Sequence, residues 1–124
     1  MPLRYSFVVF AVILALCFLA LAETGQPQQV TGFVIDSACA FTKGLDKPIS
    51  RDCAIKCAKA GSPLIILSDD RTVYWPISDA EPAVGQNARL LPFAGQHVKV
   101  DGRVYDRGGS KAIVIQKIHE VAKK

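Results

Sequence analysis

The sequence lacks the short signatures that announce most enzymatic chemistry. It has no G-x-S-x-G elbow to expose a nucleophilic serine, no H-E-x-x-H helix to hold zinc, and no P-loop to cradle phosphates. C-x-x-C and C-x-x-C-H are both absent, which excludes a thioredoxin-like pair and covalent haem attachment. A dense basic cluster is missing too. Lysines and arginines alternate with acids, as in Arg51-Asp52, Asp69-Asp70-Arg71 and Arg103 to Arg107. Without a phosphate-binding stripe, nucleic acid is not an expected partner. There is no internal repeat and no low-complexity segment. Enzymatic activity is the minority reading.

The N-terminus is rich in apolar residues. A basic start at Arg4 leads into an apolar run from Phe7 to Leu19, then Ala20-Leu21-Ala22 and the polar Glu23-Thr24-Gly25. Small residues at the first and third positions of that tripeptide fit a signal-peptidase site. The run is shorter than the roughly 20 residues a spanning helix prefers. Residues 1–22 therefore read as a cleaved signal peptide that delivers the protein to the periplasm or the exterior. The alternative is an uncleaved N-terminal helix acting as an anchor. Cys17 follows the bulky Leu16 and precedes Phe18-Leu19, which argues against a lipidated cysteine. Beyond the leader no membrane contact is expected.

Residues 23–124 make one small domain of 102 residues. Removing Arg4 from a formal charge of +4 leaves +3. A core this limited gains much from a disulfide or a metal.

After a polar lead-in from Glu23 to Gln29, Val30 to Asp36 reads as a first strand, with Gly32 marking a bend. Ser37 to Ile49 reads as a loop containing Cys39. Ser50 to Ala60 reads as a helix, capped by Ser50 and stopped by Gly61. Leu64 to Leu67 and Thr72 to Ile77 form a hairpin around Ser68-Asp69-Asp70-Arg71. Asn87 to Phe93 makes a helical turn, broken at Pro92. His97 to Tyr105 alternates, with Val98, Val100 and Val104 on one face, and Lys111 to Val121 is the last strand. This order predicts a mainly β fold: a small five-stranded OB-like barrel with a cysteine-bearing helix inserted between strands one and two. An open α+β sandwich is the rival.

The string Gly32-x-Val34-x-Asp36-x-x-Cys39, then Cys53-x3-Cys57, then Gly61-x-Pro63-Leu64, resembles a family of small exported bacterial proteins with an OB-like barrel. Arg89-Leu90-Leu91-Pro92-Phe93-Ala94-Gly95 and Val98-x-Val100-x-Gly102 extend the likeness over nearly all of the mature chain. The resemblance implies fold and export, and no activity. Many relatives carry a histidine just ahead of the helix cysteines, where this chain reads Ile49-Ser50-Arg51-Asp52.

With Cys17 in the leader, three cysteines remain: Cys39, Cys53 and Cys57. An odd number in an exported domain leaves a thiol over, links two chains, or holds a metal. Cys53 and Cys57 are four apart on one helix, with Cβ atoms about 5–6 Å apart. A disulfide needs about 3.8 Å, whereas a metal with sulfur bonds of about 2.3 Å bridges that span. Alternatively Cys39 closes onto one helix cysteine, in a loop worth roughly 3 kcal/mol on the chain-entropy model. Cys53, at the third helical position, is the expected reactive sulfur, because the dipole, Arg51 and Lys56 favour its thiolate. All three sulfurs are expected at one end of the barrel. The predicted inward stripe is Cys53, Cys57 and Ala60, with Cys57 the more buried of the two cysteines.

Asp36, His97 and His119 are candidate auxiliary ligands. Phe33, Tyr74, Trp75 and Tyr105 are candidate aromatics of a binding face. Three functions follow, in order. The first is a non-catalytic envelope module stapled by a disulfide, binding an unidentified small molecule or envelope protein. The second is a soft-metal module holding Cu or Zn on three cysteines. The third is a thiol redox protein.

Overall fold

Five strands carry the fold: β1 (Gln26–Asp36), β2 (Leu64–Ser68), β3 (Val73–Pro76), β4 (His97–Arg107) and β5 (Ser110–Glu120). In this computed structural model, which describes residue 5 and residues 7–13, 24–46 and 48–122, they close into a barrel in the order β1-β2-β3-β5-β4. Neighbours are antiparallel except β3 and β5, which run parallel. The expected OB-like barrel forms, and the open sandwich does not.

Alternation explains the packing. On β1, Val30 and Val34 point inward, and on β4 so do Val98, Val100 and Val104. They meet Leu64, Ile66, Tyr74, Ile113 and Ile115 in one core. All five residues of β2 are buried, on both faces. One face looks into the barrel, and on the other Leu67 lines a cavity together with Leu45 and Ile49 of the β1–β2 connection. β1 begins at Gln26, four residues ahead of the predicted Val30. Its polar start pairs with β4 as far as Val104 while the side chains stay exposed.

Glycine is required where the sheet coils. A Cβ on Gly32 would lie 2.2 Å from the Leu67 carbonyl oxygen, and one on Gly102 would lie 2.5 Å from that of Val114. At Gly102 the register slips: Asp101 faces Lys117 but Gly102 faces Ile115. Gln116 is therefore an extra residue on β5, a bulge of the kind that sharpens local twist. Arg89 stabilises it, donating from Nη1 to the Ile115 carbonyl at 2.6 Å and from Nη2 to that of Gln116 at 3.1 Å.

Two helices occupy the β1–β2 connection: α1 (Ser37–Lys43) and α2 (Arg51–Lys59). α1 corrects the predicted loop, for the Asp36 carboxylate caps it and nucleates a helix the composition does not signal. A short α3 (Asn87–Leu90) and a 3-10 turn (Leu91–Phe93) precede β4 and bury Leu90 completely. Ala54 and Ala58 form the buried face of α2, while Ala60 is exposed. The predicted stripe is thus one step off around the helix. Cys53 and Cys57 lie on the shoulder of the buried face.

Residues 7–13 are helical, with Phe7, Val8 and Phe10 exposed. No helix among the described residues is long and apolar enough to cross a membrane. Cys17 and the Ala20-Leu21-Ala22 site lie outside the described residues.

Candidate metal site

The site is built by two capped helix starts. β1 ends at Asp36, whose Oδ2 accepts from the Cys39 backbone N–H at 2.7 Å and whose Oδ1 accepts from the Ser62 hydroxyl. Ser50 plays the same part for α2, its Oγ accepting from the Cys53 N–H at 3.3 Å. Each cap therefore places a cysteine at the third position of its helix. Cys57 follows one turn later on α2.

These placements bring the three sulfurs together. Cys39, Cys53 and Cys57 have Sγ atoms all within 4.8 Å of one another, and all three residues are half-buried. Cys39 Sγ and Cys53 Sγ are 3.7 Å apart. A disulfide would need about 2.05 Å, and none is formed among the three. Two sulfurs on one tetrahedral ion with bonds of about 2.3 Å would be separated by about 3.8 Å. The cluster could hold a metal ion.

Electrostatics sharpen the picture. Burial pushes the Cys57 thiol up to about 11, helped by the charge of Asp36, a hydrogen bond with Cys53 and the neighbouring thiols. Ionising these thiols beside the Asp36 carboxylate would crowd negative charge, and a cation would relieve that crowding. Burial also tends to raise the pKa of Asp36. Hydrogen bonds from Ser62, Cys39 and Ala38 outweigh it and hold the carboxyl below its ordinary value. A cavity of about 40 Å³ adjoins the sulfurs, lined by Cys39, Cys53, Asp36, Ile35, Ile49 and Leu67 among others. It has room for a water or two.

The remaining sequence candidates disperse. Asp36 borders the cluster but is committed to Cys39 and Ser62, outside the three-sulfur group. His97 Nε2 pairs with Asp69 Oδ1 at 2.8 Å, and its ring lies 4.6 Å from that of Phe33. His119 is exposed on β5 opposite Lys99. Neither histidine belongs to the group. Tyr74 is buried in the core, Trp75 stacks on Phe41 at 5.9 Å, and Tyr105 lies over Gly25. Arg51, expected beside Cys53, donates instead to the Ala94 carbonyl at 2.8 Å.

Two contributors carry no sequence signal. Ser62 reaches Asp36 from beyond α2. Asn87 accepts from Leu64 N–H at 2.8 Å and donates to Ala58 O at 3.2 Å and Ser62 O at 2.8 Å. It ties the end of α2 to the start of β2. No protein family, curated protein or solved structure matches this chain.

Proposed function

We propose that this is an exported soft-metal-binding protein, in which Cys39, Cys53 and Cys57 hold a single thiophilic cation on an OB-like barrel. One observation carries the reading: three sulfurs from two helices lie within 4.8 Å of one another, with no disulfide between them. Thiolates select Cu(I) and Zn(II). Cu(I) is the better match, since it is satisfied by three sulfurs, and the group contains no fourth protein ligand among the described residues. Zn(II) would complete its four-coordinate shell with an exogenous donor.

The leader supports export, through Arg4, the apolar run and Ala20-Leu21-Ala22. The likeness to small exported OB-like proteins supports it as well. Ligand binding on the barrel face draws less support, because Tyr74 faces the core, Phe33 lies against His97 and Trp75 is stacked on Phe41, which leaves Tyr105, in register with Trp75 across Ala112, already packed over Gly25.

Anaerobic titration of the 23–124 protein with Cu(I), against a coloured competitor, tests the reading. One equivalent should bind, and Cys39→Ser, Cys53→Ser and Cys57→Ser should each weaken retention by at least tenfold. Binding that is unchanged in all three variants would overturn it.

A further inference from the structure

We propose that Cys39 and Cys53 are a dithiol–disulfide pair whose oxidation dismantles the three-sulfur site and expels its metal. The release rests on the metal reading above, whereas the pairing stands on geometry alone. Cys39 Sγ and Cys53 Sγ are in contact at 3.7 Å. They belong to separate helices, α1 and α2, joined by a connector that begins at Gly44. A closure of about 1.7 Å brings them to bonding distance, and side-chain rotation with a small shift of α1 supplies it. Cys57 has no such freedom toward Cys53. The two share one helix, with Cβ atoms about 5–6 Å apart, and bonding them would unwind α2.

Access points to the same pair. Cys39 and Cys53 both line the cavity beside the site, and Cys57 does not. A disulfide reagent is too large to enter, and at the mouth of the cavity it meets the exchanging sulfurs first.

The oxidant is a low-molecular-weight disulfide, RSSR. One cysteine thiolate attacks a sulfur of RSSR. The R–S–S–R bond breaks, one RS⁻ leaves and takes up a proton, and a mixed disulfide remains on the protein. The second cysteine thiolate then attacks the protein sulfur of that mixed disulfide, and the second RS⁻ leaves and is protonated. Two electrons pass from the cysteine pair to RSSR, two protons pass to the leaving thiolates, and two RSH are formed. Cys57 is left as a single sulfur, which cannot retain the ion. An excess of RSH reverses the sequence and restores the site.

The test uses the 23–124 protein, zinc-loaded and metal-free in parallel, equilibrated with glutathione at graded ratios of disulfide to thiol. A chromogenic chelator reads released zinc, and mass spectrometry of the intact chain and its peptides reads the loss of two hydrogens and the linkage. The expected result is one Cys39–Cys53 bond, with zinc released one-to-one with bond formation. Cys57→Ser should still form that bond, while Cys39→Ser and Cys53→Ser should not form an intramolecular one. Linkage through Cys57, or a zinc-loaded chain that oxidises fully and keeps its zinc, would overturn the proposal. If the chain never binds zinc or copper yet forms the Cys39–Cys53 bond, the metal reading falls and the redox pair stands. If it binds metal but both forms resist oxidation, the pair falls and the metal reading stands.

Discussion

Replacing Gly32 with alanine tests the closure of the barrel directly. The added Cβ would sit 2.2 Å from Leu67 O and 2.5 Å from Ser68 Cα. Both are backbone atoms of β2, fixed by the pairs Gly32–Ser68 and Phe33–Leu67, and Gly32 is also paired with Val98 on its other side. Neither neighbour is the flexible end of a side chain. Relief requires a shift of about 1 Å that breaks pairing on one side. Overpacking of this kind costs about 1–3 kcal/mol and sometimes more, and two backbone clashes place Gly32→Ala near the upper end. At about 4–8 °C per kcal/mol for a domain of this size, the melting temperature should fall by about 12–24 °C. Gly85→Ala is the control, since nothing lies within 4 Å of its Cβ position. It should leave stability unchanged or raise it by about 0.4–1 kcal/mol. Thermal unfolding followed by circular dichroism reads both. A Gly32→Ala midpoint within about 3 °C of the parent would refute the steric account.

Asp36→Ala removes the α1 cap and strands the Ser62 hydroxyl, so urea unfolding should show a loss of about 2–3 kcal/mol, whereas Asp36→Asn should retain most of the cap. The Asp36 pKa is lowered in the folded state. Its contribution is therefore present above the ordinary carboxylate range and drains as pH falls through the folded value; Asp36→Asn should flatten that acid limb. Cys57 behaves oppositely, being raised from 9.0 to about 11. Its contribution in the metal-free protein holds below pH 9 and is lost as pH rises through about 11. Cys57→Ala should remove that alkaline decline in the urea midpoint, and an identical decline in the variant would refute the assignment. Asn87→Ala abolishes three hydrogen bonds to the backbone and should destabilise by about 2–3 kcal/mol in the same assay; a change below about 0.5 kcal/mol would show that water replaces them.

The barrel was legible because its signals are local. Val98, Val100 and Val104 alternate, and Gly32 and Gly102 interrupt strands where a side chain has no room. Cys53 and Cys57 share a helix face by spacing alone, and the Ser50 cap fixes where that helix starts. Other features were not readable. Ser37 to Lys43 has no amphipathic repeat, and its helix depends on a cap from the preceding strand. Gln26 to Gln29 are polar and become a strand because β4 supplies their backbone partners. Ala54 and Ala58 repeat at the same interval as the cysteines, so periodicity could not choose which pair faces the core. Asn87 and Arg89 act on carbonyls or amides more than twenty residues away, a distance no local pattern encodes.

α1 and α2 interrupt the chain between two strands that pair with each other regardless. Barrel closure uses backbone bonds and a core drawn mostly from the strands, and no cysteine belongs to that core. The connector is thus a cassette mounted on the barrel as on a chassis. Cys39, Cys53 and Cys57 lie outside the core, so substitution there spares the barrel, whereas Ala54 and Ala58 belong to the shared core and Arg51 ties the connector to Ala94. The three-sulfur group can thus be altered within residues 37–59 without touching a strand. A histidine introduced at the Ile49-Ser50-Arg51-Asp52 stretch would add a nitrogen donor within the same connector, where Ile49 and Ser50 already line the cavity beside Cys39 and Cys53.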